Sequence, residues 1–273
     1  MSSETISSGR TDEAKRRRVA VSSWSFHTFF ERDRNAPDKT LMDVRDFPEM
    51  VADKYHVHNL EIILPHFVGA EPSLVRDFRT RLDKAHSRLV NMPLDYGELW
   101  NKPAISSSDA AEREHALGLY RAGIDAAAAL GCPSVRCDPG VVNLKDPALT
   151  VDAYKQLAAY AGSKGIKVVV ENHGDISRDP ETLVTILEAA GVGSLPDFGN
   201  FPDQETRERG LRLLFPLAGS VAHAKMREGQ DFGRCIQIAK DAGFQGVFSI
   251  EAGGRTDPYA EVQSIADALV AHL

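Results

Sequence analysis

Cysteine is scarce in this chain. Three occur in 273 residues (Cys132, Cys137 and Cys235), an odd count with no CxxC spacing. That argues against a disulfide framework, and the expectation is a reducing, cytoplasmic setting with the thiols packed as small apolar groups. Long apolar runs are missing too: none approaches the ~20 residues of a membrane span. Positive charge is thin, with a net charge of −7 and one basic run, Lys15-Arg16-Arg17-Arg18. Nucleic acid and anionic membrane are therefore poor partners. The apolar stretch after the basic run is broken by Ser22, Ser23 and Ser25, unlike the core of an export signal. No glycine-rich turn follows the first strand-like run, which counts against a nucleotide-binding doubly wound sheet.

What is present is regular alternation. Apolar, β-branched runs at 18–26, 57–64, 88–94, 134–138, 167–172, 193–197, 220–225 and 246–251 read as strands. Helical spacing fills the gaps at 41–54, 73–86, 108–130, 147–164, 180–190, 205–217, 232–242 and 258–273, with Gly131 and Gly165 as stops. Eight β–α pairs with short connectors predict an α/β fold, a (β/α)8 TIM barrel over 18–273, preceded by a disordered arm at 1–17.

Four chemically distinctive side chains fall at the ends of the last four runs: Glu171, Asp197, His223 and Glu251. In a parallel barrel they converge at the C-terminal face, where the chemistry of this fold sits. Three carboxylates so placed repel one another unless a cation lies between them. An oxygen-rich set with one imidazole suits one divalent metal ion, Mn²⁺ foremost, with Mg²⁺, Co²⁺ or Zn²⁺ as alternatives. Taken singly, Asp197 also reads as a turn residue and His223 as a core histidine. The order of the four along the chain is what favours a site. The second tier is His66, His173, Asn200, Lys225 and Arg136, read as substrate contacts. Lys225 shares a strand face with His223 and His173 with Glu171. Arg136 and Asp138 read equally well as a structural salt bridge, and Trp24 and His27 end the first strand.

Through VENH at 170–173, PDFGN at 196–200, AHAK at 222–225 and IEAGG at 250–254, the chain over 18–273 resembles the xylose isomerase-like TIM barrels, the sugar phosphate isomerase/epimerase superfamily. The resemblance implies metal ligation by Glu171, Asp197, His223 and Glu251, with Glu171 and Glu251 also moving protons. It implies a divalent-metal-dependent isomerase or epimerase working on a keto-sugar or related polyol ketone through a metal-stabilised enediolate. The chain departs from the ketose 3-epimerase pattern at Asn200, where a histidine is usual, and at Lys225. A lyase or dehydratase using the same intermediate is the alternative enzyme, and a non-catalytic sugar-binding or partner subunit the alternative role. Endonuclease IV-type barrels need more ligands, for three zinc ions, than the four seen here. The expected partner is a small carbohydrate, and homo-oligomerisation is left open.

Overall fold

A computed structural model describes residues 12–30, 42–67, 72–144, 146–253 and 257–273. The strands are β1 (Val19–Ser22), β2 (Asn59–Glu61), β3 (Arg88–Pro93), β4 (Ser134–Arg136), β5 (Lys167–Glu171), β6 (Gly193–Leu195), β7 (Val221–Ala224) and β8 (Val247–Ile250). They form one parallel eight-stranded sheet in the order β6-β5-β4-β3-β2-β1-β8-β7. Isolated parallel bridges, Ser194 to Ala218 and Asp197 to His223, join its two ends and close a TIM barrel. The second bridge sets two of the expected site residues side by side.

The surrounding helices are α1 (Phe47–Tyr55), α2 (Pro72–Lys84), α3 (Ala110–Leu130), α4 (Ala148–Gly162), α5 (Pro180–Ala190), α6 (Gln204–Leu214), α7 (Phe232–Asp241) and α8 (Pro258–His272). Aspartates start most of the later ones. The Asp179, Asp203, Asp231 and Asp257 carboxylates accept from backbone N–H groups in the first turns of α5, α6, α7 and α8, satisfying donors that have no partner within the helix. Gly131 and Gly191 end α3 and α5 in the left-handed region, at φ of 72° and 71°. No helix among the described residues is long and apolar enough to cross a membrane.

Strand alternation explains how the interior is divided. Val168 and Val170 face the helices in the main core, while Val169 joins Ala20, Val90, Leu195, Val221 and Val247 in a separate apolar plug. Two residues beyond four of these plug positions stand Glu171, Asp197, His223 and Ser249, each on the same side of its strand as the apolar residue before it. The plug thus floors a polar layer at the C-terminal end.

Two expectations need correction. The first strand ends at Ser22 rather than at residue 26, because the Ser22 side chain accepts from Trp24 N and starts a 3-10 turn over Ser23–Phe26. The arm expected at 1–17 lies outside the described residues only as far as residue 11. Residues 12–16 are helical, Lys15 Nζ donates to Val270 O and Arg16 to Tyr55 O. Leu41 and Gly254, at the edges of an expected helix and of the last motif, also lie outside the described residues.

Candidate metal centre and substrate cavity

One ligand atom from each of Glu171, Asp197, His223 and Glu251 lies within 4.8 Å of the other three, and all four residues are buried. His223 is the hub. Its Nδ1 stands 3.0 Å from Glu171 Oε1, 3.4 Å from Glu251 Oε1 and 3.5 Å from Asp197 Oδ2. Its Nε2 points the other way, 3.0 Å from Glu61 Oε1. Glu61 is fully buried at the end of β2, where it also accepts from Asn91 Nδ2 and Ser249 Oγ. A carboxylate fixing the far nitrogen of an imidazole sets the tautomer and aims the near nitrogen.

Two fixed cations hold the carboxylates. Lys225 Nζ lies 2.8 Å from Glu251 Oε2 and 2.9 Å from Asp197 Oδ2, and it donates to Asn200 Oδ1 at 3.2 Å. Arg136 bridges Glu171 Oε2 and Asp95 Oδ1. Asn200 Nδ2 donates to Glu171 Oε1 at 2.9 Å. The tip of β6 is locked to that of β5, since Asp197 N donates to Asn172 Oδ1 and Asn172 Nδ2 to Asp197 O. Close approach here requires glycine: a Cβ on Gly199 would stand 2.7 Å from Lys225 Cβ.

The electrostatics follow from this crowding. Burial works to raise the Glu171 pKa, yet Arg136, His223 and Lys225 outweigh it and hold the carboxyl well below its usual range. Burial likewise works against charge on His223 and Lys225, and the surrounding carboxylates override it, raising both. Glu61 is held below the usual range chiefly by His223 against its own burial.

The donor set fits a hard divalent cation. Glu61, Glu171, Asp197 and Glu251 outnumber the fixed positive charges of Arg136 and Lys225 in the same buried cluster. Asp197 Oδ2 is buried and accepts no hydrogen bond. Lys225 Nζ approaches it at 2.9 Å as an ion pair. An anionic oxygen so placed, aimed at three other ligand atoms, is the vertex a cation completes.

Above the cluster opens a cavity of about 470 Å³, lined on its polar side by Arg136, His173, Asn200, Lys225, Arg227 and Glu251. Of the expected substrate contacts, Arg136, His173, Asn200 and Lys225 reach it. His173 is exposed there, its Nδ1 2.7 Å from Asp138 Oδ2. His66 does not line this cavity. Its Nδ1 meets Ser23 Oγ at 3.0 Å and its ring stacks on Phe30, so Ile63 is what the β2 loop presents. Trp24 also lines the cavity, stacked on His27 with ring centroids 4.4 Å apart. The three cysteines are buried and free, and burial pushes the Cys132 thiol up to about 12, leaving it poorly nucleophilic.

Sequence reasoning passed over Glu61, Asn91 and Asp95. A signal for Glu61 was present: a carboxylate inside the apolar run Asn59-Leu60-Glu61-Ile62-Ile63 is costly to bury without a partner.

Comparison with known proteins agrees with this architecture. The family model described as xylose isomerase-like TIM barrel matches residues 54–271. Among solved structures, the D-psicose 3-epimerase with D-tagatose from Clostridium cellulolyticum H10 aligns at TM-score 0.73 and 13% identity, over 94% of this chain and 99% of that one. A xylose isomerase-like TIM barrel protein from Mycobacterium smegmatis in complex with magnesium aligns at 0.65 and 17%, over 93% and 97%. The 3-keto-D-glucoside 4-epimerase from E. coli aligns at 0.67 and 11%, over 94% and 99%. At these identities the likeness is one of fold. No curated protein matches the chain in sequence.

Proposed function

Since the chain belongs to the xylose isomerase-like TIM barrel family, we propose that it is a divalent-metal-dependent sugar isomerase or epimerase acting on a keto-sugar. The observation that carries this reading is the convergence of Glu171, Asp197, His223 and Glu251 beneath an open cavity. These four residues hold the ion, and Mn²⁺ or Mg²⁺ suits their oxygen-rich set. When bound, the cation supplies Lewis-acid polarisation of a carbonyl and a template for the neighbouring hydroxyl.

The chain's own groups do the rest. Glu251 is the carboxylate of the four-residue cluster that lines the cavity, so it removes the proton on the carbon next to the carbonyl. The C–H electron pair becomes the carbon–carbon double bond of an enediolate, and negative charge passes to the former carbonyl oxygen. Glu171, ionised in the resting site beside Arg136, takes up a solvent proton and returns it at the same or the adjacent carbon, while Glu251 releases the proton it removed to solvent. Lys225 holds Glu251 Oε2 in place and offers its ammonium to developing oxyanion charge. Arg136 fixes the orientation of Glu171, and Asn200 Nδ2 donates to Glu171 Oε1 from the position where ketose 3-epimerases usually carry a histidine.

Incubation of the Mn²⁺-loaded protein with keto-hexoses in D₂O tests this. Incorporation of deuterium at a carbon next to the carbonyl, with all other bonds intact, is expected. Release of water or of an aglycone would assign a lyase instead, and no exchange with any keto-sugar would contradict the proposal.

A further inference from the structure

The cavity has a second face whose chemistry differs from the first. Among the described residues, the exposed large hydrophobic side chains are Trp100, Val141, Leu144, Leu149 and Met226. Each follows the C-terminal end of a strand: Trp100 after β3, Met226 after β7, and the other three between β4 and the first turn of α4. Apolar exposure on this molecule is therefore gathered around the mouth of the barrel rather than scattered, which sets it apart from ordinary surface hydrophobics. Two of the five, Trp100 at 53% exposure and Val141 at 44%, line the same cavity as Lys225 and Glu251.

Beneath them the wall continues apolar. Tyr96 and Tyr120 line it, packed edge to face, but their hydroxyls are already committed: Tyr96 donates to Leu119 O and Tyr120 to Asp138 O. Neither ring has a hydroxyl proton to spare for a sugar. The loops that carry this wall are fastened to one another. Val141 N donates to Lys102 O at 2.8 Å and Ser106 Oγ to Pro139 O at 3.3 Å. Gly140, at φ +69°, approaches so closely that a Cβ would stand 2.4 Å from Lys102 O. Asn101 and Ala104 hold left-handed φ values of 58° and 47° on the opposing loop. Strained backbone held by cross-loop contacts makes a pre-organised surface.

We infer that this wall is a subsite for a flat apolar substituent, so that the substrate is a keto-sugar carrying an aromatic aglycone rather than a free ketose. The inference rests on the keto-sugar reading of the polar cluster. The sugar lies over Glu251 and Lys225, and the aglycone extends between Trp100 and Val141, where ring stacking rewards an aromatic group.

The test compares phenyl and methyl glycosides of one hexopyranose oxidised to the ketone at a non-anomeric ring carbon, which keeps a free carbonyl, with binding measured by calorimetry and solvent exchange measured in D₂O. The phenyl glycoside is expected to bind about tenfold more tightly, the scale of one favourable aromatic contact. Trp100→Ala should collapse the phenyl-to-methyl ratio towards one, and Trp100→Phe should restore most of it. Equal affinities in the unaltered protein would overturn the subsite, and so would a ratio that survives Trp100→Ala. A dimer that dissociates on Trp100→Ala in sedimentation would also overturn it, by assigning the rim to a second copy. The two readings fail separately. Deuterium exchange without phenyl preference rejects only the subsite, whereas phenyl preference without exchange rejects only the isomerase.

Discussion

Glu61 and Glu171 grip one imidazole from opposite sides, Glu61 at Nε2 and Glu171 at Nδ1, and the two contacts have different consequences. Loss of Glu61 frees the His223 ring to rotate and to change tautomer. Glu61→Gln should weaken Mn²⁺ binding by about 10–100-fold, the usual cost of removing such a support; calorimetric titration checks this, and unchanged affinity would dismiss the role. Loss of Glu251 as a base touches the chemistry itself. Glu251→Gln should lower the deuterium exchange rate by about 100-fold or more, and exchange near the unaltered rate would remove Glu251 from the mechanism. His66 belongs to the scaffold and shows it through pH. Burial, with a smaller contribution from His27, lowers its pKa from 6.5 to about 4. The unfolded chain then takes up a proton near 6.5 while the native protein resists until about 4. The stability contributed by neutral His66 is full above 6.5 and drains as pH falls towards 4. Urea titrations should show a shallower loss of stability across that window for His66→Gln; equal slopes would contradict the assignment.

The site depends on how elements end. β5 and β7 deliver Glu171 and His223 from within the strands, whereas Asp197 and Glu251 stand just beyond β6 and β8. The Asp197–His223 bridge fixes the relation between two of them. Helix starts matter in the same way, because they end the loops that frame the mouth. Asp179 accepts from Thr182 N at 3.0 Å and from Thr182 Oγ1 at 2.8 Å at the head of α5. Asp179→Ala should destabilise the protein by about 1 kcal/mol, read as a lower urea midpoint; an unmoved midpoint would show the cap to be idle. These elements also show what the sequence could disclose. α5 matches its expected bounds because proline and glycine punctuate it, and β5 nearly so because its valine run suits no helix. The first strand overran because Ser22 to Phe26 keeps an apolar rhythm while Ser22 turns the chain with its side chain. Local pattern does not register such a hydrogen bond.

Across the molecule, the four cluster residues were legible because each follows an apolar run on a strand, and strands of one parallel barrel must point the same way. The partners of those residues were not. Arg136 reaches Asp95 past the end of the neighbouring β3, and Glu61 reaches His223 across the barrel; the first contact follows from strand order and the second from the curvature of the whole sheet. His66 sat at a strand end like the others, yet the turn after β2 leads it to Ser23 and Phe30 and away from the cavity. The central claim, that closure assembles a centre for one divalent ion, is tested most directly by anomalous diffraction from a crystal soaked in Mn²⁺. The account predicts one strong peak among Glu171, Asp197, His223 and Glu251, in contact with their ligand atoms, and its loss in Asp197→Asn. A peak elsewhere, or none among these side chains at saturating Mn²⁺, would contradict it.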